Sequence, residues 1–354
     1  MDLRRPGSAA AFGWLVTLVQ PVRRITVLLN GNFKIIPLIR LHAAEHELFR
    51  FVCLNAAHST SRIRRLLTKE DQIVSEPARE SMDYAMQVLG IAVAMGVDLV
   101  LPMWHASFLA DASEHFQRAG IQLLVAGTAT QLRRVDDKGH CFDDLADLPD
   151  VVPRYRIVSS VESFDAAVSE LAADHTVCLK PCDSIFGYGF YVLKSSSSGT
   201  ANSQWISVDA ARRRIARAGS RRHLVMQYLP GMEWSVDCLA LDGTLTRAVI
   251  RRKREDGSQV IDQHMEVERA VRRCIALLRL RGLFNIQLKG DSHERPRLPE
   301  INGRMAGGIA KSAASGVVLP LWAIRLAMGT HDSTVIPTAR CGVIVPSTPD
   351  DRSV

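Results

Sequence analysis

Glu300, Asn302 and Arg304 fall at alternate positions of the segment Leu298-Pro299-Glu300-Ile301-Asn302-Gly303-Arg304. On a strand, alternate side chains share a face, so Glu300 and Asn302 would point together. A carboxylate, an amide oxygen and a guanidinium on one short segment suit a polyphosphate held with a divalent cation. Mg²⁺ takes a few hard oxygen ligands from protein and fills its octahedron with phosphate oxygens and water. Arginine clamps phosphate through two parallel N–H bonds. Taken alone, the E-x-N spacing is better explained by a strand end running into a glycine turn. Other segments shift the balance.

Gln287 ends the apolar run Gly282-Leu283-Phe284-Asn285-Ile286-Gln287. Lys180 closes Thr176-Val177-Cys178-Leu179-Lys180-Pro181, and Ser184, Gly187 and Gly189 follow within Cys182–Phe190. Glycines in such a loop let backbone N–H groups approach phosphate oxygens. Neither a Walker A motif nor the third glycine of a dinucleotide fingerprint is present. His223 to Asp237 carries Gln227, Tyr228, Leu229 and then Pro230-Gly231-Met232-Glu233. Arg251 and Lys253 follow Ala248-Val249-Ile250, and on a strand they would share a face, with Arg252 and Arg254 turned to solvent.

In this order the segments resemble the ATP-grasp superfamily, which includes biotin carboxylase, D-alanine–D-alanine ligase and the carbamoyl phosphate synthetase large subunit. Glu300-Ile301-Asn302-Gly303-Arg304 resembles its E-x-N-x-R metal segment, and Gly282–Leu288 its G-x-x-N-x-Q strand. Asp137-Lys138 with Val151-Val152-Pro153 is similar to the entry into its nucleotide domain. The Gln at 287 resembles the carbamoyl phosphate synthetase and biosynthetic-ligase branches. The resemblance covers roughly residues 25–329. Bulky Ile185 and Phe186 depart from a family loop that is usually richer in glycine.

The resemblance implies ATP and Mg²⁺ (or Mn²⁺) as cofactors. Gln287, Glu300 and Asn302 would hold the metal, and Lys138 and Lys180 would face the phosphates. Ser184, Gly187 and Gly189 would fold over them. Backbone groups around Gln227, Tyr228 and Leu229 would read adenine, and Glu233 would accept from the ribose hydroxyls. Arg304, Arg251 and Lys253 would act at the transferred phosphate or the substrate carboxylate. Three activities follow as alternatives: a carboxylate–amine (or thiol) ligase working through an acylphosphate, which is favoured; a bicarbonate- or carbamate-phosphorylating enzyme; and a nucleotide-binding regulatory protein. Small carboxylates and amines, amino acids among them, would be the substrates, and dimers are common in these families.

Composition places these motifs in an ordinary globular chain: 354 residues allow two domains, with 47% hydrophobic and 23% charged residues. No apolar run reaches the 18 residues of a membrane span. The patch from Phe12 to Val19 runs into Gln20-Pro21-Val22-Arg23-Arg24 without a small-residue cleavage site. Seven cysteines are scattered without zinc spacing, which suits a reducing cytoplasm. The net charge of +7 comes with no aromatic interleaving, so it suits anionic substrates rather than a specific nucleic acid.

The pattern of elements gives the frame. Short buried strands at 25–29, 48–54, 97–102 and 121–126 alternate with helices to His46, at 81–95 and at 107–119. Such alternation predicts a parallel α/β sheet. The fold class expected is this α/β domain followed by an α+β ATP-grasp domain whose two halves clamp ATP. Residues 1–20 are expected as a mobile tail, 21–127 as the first domain, 128–332 as the ATP-grasp domain and 333–354 as a C-terminal tail. Helices are expected over 266–280 and 310–328, and Ser195–Gly199 as a flexible loop. The Asn30-Gly31-Asn32 turn and the Trp104-His105 pair are candidate pocket edges, though each reads more simply as loop.

Overall fold

A computed structural model of the chain describes residues 23–55, 60–78, 83–184, 187–194 and 204–347. The expected tail at 1–20, the Ser195–Gly199 loop and the Ile185-Phe186 pair lie outside them.

The N-terminal sheet is built from β1 (Arg23–Leu29), β2 (Glu47–Asn55), β3 (Gln72–Ser75), β4 (Leu99–Leu101) and β5 (Gln122–Leu123). All neighbours are parallel, in the order β3-β2-β1-β4-β5. Helices α1 (Ile35–His42), α2 (Thr60–Arg64), α3 (Tyr84–Ala94), α4 (Ala106–Asp111) and α5 (Ser113–Arg118) connect the strands. The parallel α/β sheet is as expected, with two differences. β3 is an added edge strand, too polar and half-exposed to stand out by hydrophobicity. The expected helix over 107–119 is broken in two at Ala112.

Two further sheets face each other across a cleft. The lid sheet has the order β6-β10-β7-β8-β9, from β6 (Tyr155–Val158), β7 (Val177–Pro181), β8 (Tyr191–Lys194), β9 (Trp205–Ser207) and β10 (His223–Gln227). Helices α8 (Val161–Leu171) and α9 (Val208–Ala218) close a separate core with it around Phe164, Leu179, Ile215 and Val225. The base sheet contains β11 (Glu233–Leu241), β12 (Thr244–Lys253), β13 (Gln259–Asp262), β14 (Gly282–Gly290), β15 (Pro296–Asn302) and β16 (Ile344–Val345). Its order is β15-β14-β11-β12-β13-β16, antiparallel throughout. Helices α6 (Ala129–Asp136), α7 (Lys138–Asp144) and α10 (Met265–Leu278) pack between and behind the two sheets.

The N-terminal domain and the base sheet share one core. Ile25, Phe51 and Leu101 pack in the same cluster as Leu239, Val249, Leu283 and α11 (Leu319–Ala327). A buried ion pair, Arg325 to Glu47 at 2.6 Å, crosses the same junction. The lid's outer core has no share in it. Thus the N-terminal domain and the base share one core, while the lid's inner face, with Cys178, Leu224 and Met226, packs with Val236 and Ile286 of the base in another.

Two expectations about the C-terminal end differ from what is found. The helix expected over 310–328 is a 3-10 helix, Ile309–Ser315, and α11, meeting at 94°. Gly316 has φ +85°, a left-handed stop that ends the first segment, and Pro320 lies in the first turn of the second. The expected tail at 333–354 is partly docked: Ile336 is buried, and β16 pairs with β13 as the outermost base strand. Among the described residues no single helix is long and apolar enough to cross a membrane.

Candidate functional site

The base sheet presents a polar face to the cleft. Cross-strand register lines up Glu300, Gln287, Ser235 and Arg251 in one row, and Asn302, Asn285 and Asp237 in the next. On the other side of the first row Glu233 lies beside Lys289, with Lys253 Nζ 3.6 Å from the Glu233 carboxylate. The intervening residues Trp234, Val236, Ile286, Leu288 and Ile301 turn away and are buried with Val267, Val271 and Cys274 of α10. Period-two alternation therefore delivers every expected base-sheet residue to a single face.

The two expected lysines approach this face from the other side. Thr128 and Gln131 form a reciprocal capping box that starts α6. Asp137 accepts from the His140 N–H and caps α7, so Lys138 is the first helical residue and its direction is fixed. Its ammonium donates to the Ser184 carbonyl and lies 3.9 Å from Glu300 Oε1. Lys180 sits on β7, where every residue is buried, and its Nζ donates to the Pro299 carbonyl at 2.7 Å. Burial, then the neighbouring Lys138 charge, pulls the Lys180 ammonium down to about 8. A lysine so buried, without a carboxylate in contact, can neutralise negative charge that a ligand brings.

Ser184 turns its hydroxyl to the Pro181 carbonyl at 3.2 Å, which leaves its own carbonyl to hold Lys138. Gly187 and Gly189 both have positive φ, +69° and +76°. A Cβ on Gly189 would also lie 2.9 Å from Pro181 Cγ, so glycine is required there on two counts. Cys178 and Cys182 flank Lys180 but are buried, and burial raises their thiols to about 12 and about 11. They are not thiolates.

At the hinge after β10, the Gln227 N–H donates to Arg154 O and the Tyr228 N–H to Thr176 O, each at 2.8 Å. Neither N–H is available to a base, so recognition there would use carbonyls and the Leu229 backbone. Tyr228 stands beside Trp205 at 5.8 Å and Phe190 at 6.5 Å. Below it, the turn that carries Glu233 is zipped to the β14–β15 hairpin by Gly231 N–H to Gly290 O and Gly290 N–H to Met232 O. The Glu294 carboxylate fills the space under both glycines and accepts from the Met232 N–H at 3.1 Å. A Cβ on Gly231 or Gly290 would lie 2.7 or 2.5 Å from that carboxylate.

Arg251 departs from its expected role. Its guanidinium is 3% exposed and bonded to Asp237 (2.9 Å), Ser235 (2.9 Å) and Gln259 (2.5 Å). Asp237 also accepts from Asn285 and from the Ser312 hydroxyl. Each guanidinium nitrogen thus holds a neighbour within the base sheet, and Asp237 carries the link on to the 3-10 helix through Ser312. Arg252, expected to face solvent, is half-buried and paired with Asp262 at 3.0 Å.

Arg304 lies between the cleft and the N-terminal domain, its guanidinium carbon 5.1 Å from the Trp104 ring centre. Burial lowers its pKa, and the charges of Asp136 and Glu300 oppose the shift. Asp136 is exposed at the cavity wall, yet the protein around it displaces enough water to push its carboxyl up, against the pull of Arg304, Lys138 and the Gly303 N–H. These side chains line a cavity of about 400 Å³ whose other wall is the β4–α4 loop.

Glu300, Gln287 and Asn302 offer one carboxylate and two amide oxygens. Among the described residues no group of three His, Cys, Asp or Glu side chains could hold a metal. The donor set fits a hard cation that draws its remaining ligands from a polyphosphate and water, the preference of Mg²⁺.

Comparison with known proteins agrees with this geometry. Residues 220–348 match a family model described as "ATP-grasp in the biosynthetic pathway with Ter operon". Over most of its length the chain superposes on N5-carboxyaminoimidazole synthetase from Staphylococcus aureus (TM-score 0.65, 12% identity, 92% of this chain and 82% of that one). An L-amino acid ligase from Bacillus licheniformis is similar at TM-score 0.61, with 13% identity over 90% of this chain and 78% of that one. The chain has the ATP-grasp fold. A curated relative, carnosine synthase 1 of Gallus gallus, is 33% identical over 126 residues, which is 30% of this chain and only 13% of that protein.

Within this fold, motif reading reached Lys138, Lys180, Gln287 and Glu300, which the structure brings together, and missed the residues packed around them. Asp136 immediately precedes the Asp137-Lys138 pair, yet a second acid there looks like a solvated helix end. Glu294 sits in a polar hairpin turn with φ +58° and no motif around it. Two glycines that a carboxylate would need underneath it are visible only in three dimensions.

Proposed function

We propose that this chain, which has the ATP-grasp fold, is an ATP-dependent ligase that joins a carboxylate to an amine (or a thiol) through an acylphosphate. The observation that carries the proposal is the meeting of Lys138, Lys180 and Glu300 between lid and base, beside a cavity large enough for a second substrate. A carboxylate has no good leaving group. Its oxygen attacks the γ-phosphorus of ATP, the bond to the β–γ bridging oxygen breaks, and ADP departs. The amine then adds to the acyl carbon, loses a proton, and phosphate leaves.

For such phosphoryl transfer, positioning and charge neutralisation outweigh covalent help. Lys138 and Lys180 neutralise phosphate oxygens, and Arg304 holds the acceptor carboxylate in line. Gly187 and Gly189 let the loop close and exclude water from the acylphosphate. Glu233 accepts from the ribose hydroxyls, and the hinge backbone reads adenine. When bound at Glu300, Gln287 and Asn302, Mg²⁺ supplies Lewis-acid charge stabilisation at the phosphates. A bicarbonate-phosphorylating activity is the weaker alternative, because a cavity of about 400 Å³ far exceeds what bicarbonate fills.

The test is Mg²⁺-dependent ADP release with pooled amino acids, small carboxylates and bicarbonate, against Glu300→Ala. Release stimulated by one carboxylate pool and lost by about 10²-fold or more in the variant is expected. Stimulation by bicarbonate alone replaces the ligase with a carboxylase-type enzyme. Nucleotide binding with no release from any pool makes the chain a nucleotide sensor.

A further inference from the structure

The cavity beside Arg304 has two unlike walls. One is charged: Arg304 and Asp136, with Lys138 and Glu300 behind them. The other is the β4–α4 loop, which contributes Met103, Trp104, His105 and Phe108. Phe108 is 45% exposed at the mouth, with its ring 6.0 Å from His105.

The loop is held far more tightly than a plain connection requires. Asn30 Oδ1 accepts from the N–H groups of Met103 (2.7 Å) and Trp104 (3.1 Å). Its Nδ2 donates back to the Trp104 carbonyl at 2.8 Å and to the Tyr84 hydroxyl at 3.1 Å. The indole packs so closely over Gly31 that a Cβ there would meet Trp104 Nε1 at 2.8 Å. His105 follows in the left-handed region, φ +57°, a conformation that costs energy for a residue with a Cβ. Strain of this kind persists where surrounding contacts over-determine it. Here the contacts fix one orientation of an aromatic wall against a guanidinium and a carboxylate.

We propose that the cavity selects an α-amino acid with a large apolar, preferably aromatic, side chain as the carboxylate substrate. This rests on the ligase reading for its chemistry and extends it to the substrate class. The carboxylate lies toward Arg304 and the phosphate site, the α-ammonium toward Asp136, and the side chain between Trp104 and Phe108. A volume of about 400 Å³ lies within the range of small-ligand sites, which begins near ~300 Å³. A side chain in contact with the apolar wall gains roughly 1.5–3 kcal/mol on full burial, or about 10-fold or more in affinity. Phe108 is then a specificity-determining residue, and Asn30 and Gly31 are positioning residues for Trp104.

Calorimetric titration of the full chain with Mg²⁺ and ADP present reads this directly. The panel is glycine, alanine, leucine, phenylalanine, tryptophan and glutamate, with phenylalanine amide and 3-phenylpropionate to remove each charge in turn. Phenylalanine is expected to bind about 10-fold tighter than alanine, with both charge-deleted analogues weaker. Phe108→Ala is expected to erase the preference by weakening phenylalanine about 10-fold more than alanine, and Phe108→Leu to restore part of it. Equal binding of alanine and phenylalanine, tighter glutamate, no binding by any amino acid, or a uniform loss in Phe108→Ala overturns the proposal. ADP release separates the two claims. Amino acids that bind in this order without releasing ADP defeat the ligase reading alone; ADP release without side-chain preference defeats the pocket assignment alone.

Discussion

Lys180 and Arg251 are both buried cations on neighbouring walls of one cleft, and they are held in opposite ways. Arg251, on base strand β12, spends its donors on Asp237, Ser235 and Gln259. Lys180, on lid strand β7, has a backbone carbonyl and the Phe142 ring at 5.6 Å, with a second lysine close enough to depress it. A buried charge that is fully paired supports the fold when its partner stays; one left waiting costs stability until a ligand arrives. On the proposed function, the same residue class marks structure in one sheet and a ligand site in the other, and the partner decides which.

The sharpest break of that comparison is Arg251→Met. Removing the guanidinium strands the fully buried Asp237 carboxylate, a loss of about 3–5 kcal/mol for a broken buried pair. Denaturant unfolding should show a lower midpoint, and the double variant Arg251→Met/Asp237→Leu should recover much of it. A single variant that unfolds like the parent while losing ADP release would return Arg251 to the reacting groups.

Lys180→Met is expected to reverse the sign. Loss of an unpaired buried ammonium should leave stability unchanged or raised, while affinity for ADP falls by about 10–100-fold, the worth of a charged hydrogen bond. The pH dependence follows from its depressed pKa. With a folded value of about 8 against 10.5 unfolded, the burial cost is fully present below about pH 8 and relieved between about 8 and 10.5. Over that window the stability gap between parent and variant should close, as the parent's ADP affinity also declines. Calorimetry at pH 7 and pH 9 reads both. Parallel decline of parent and variant would place the titration elsewhere.

The same contrast explains what could be seen in the sequence. Lys180, Glu300 and Gln287 carry local signatures in the sequence: a lysine closing an apolar run, and polar residues at alternate positions of strand-like segments. The parallel order of the first domain was legible for a similar reason, since buried strands read as continuous apolar runs. Arg251 and Lys253 obey the same alternation, but alternation does not tell which partner lies across the sheet. Asp237 and Ser235, which claim Arg251, come from strand β11, and Asp237 is held in turn by Ser312 of a 3-10 helix far along the chain. The acceptor wall was hardest, because Asn30 reads as a turn residue until it is seen bonded to a loop 73 positions away.

Gly231→Ala asks whether the turn carrying Glu233 is positioned from below. Its Cβ would press on the Glu294 carboxylate, which would have to leave the Met232 N–H. An affinity loss for ADP of several-fold is expected, about 1 kcal/mol for one backbone hydrogen bond. 2′-Deoxyadenosine diphosphate, lacking one ribose hydroxyl, should lose less relative to ADP in the variant than in the parent if Glu233 has been displaced. Equal losses in both would detach Glu294 from ribose recognition.

Lys253→Ala should have the smallest effect, and it is the control that gives the others meaning. Its ammonium lies 3.6 Å from Glu233, but the side chains are 57% and 41% exposed, so water already screens both charges. Exposed pairs contribute about 0–1 kcal/mol, and stability should change by no more than that. Nucleotide affinity should move less than in Lys180→Met, because Glu233 keeps its strand position and gains freedom to accept from a ligand. A loss as large as that of Lys180→Met would mean that Lys253 swings away from Glu233 onto phosphate when nucleotide binds. In that event the base sheet, too, holds a cation in waiting, and burial would no longer be what separates the two kinds of cation.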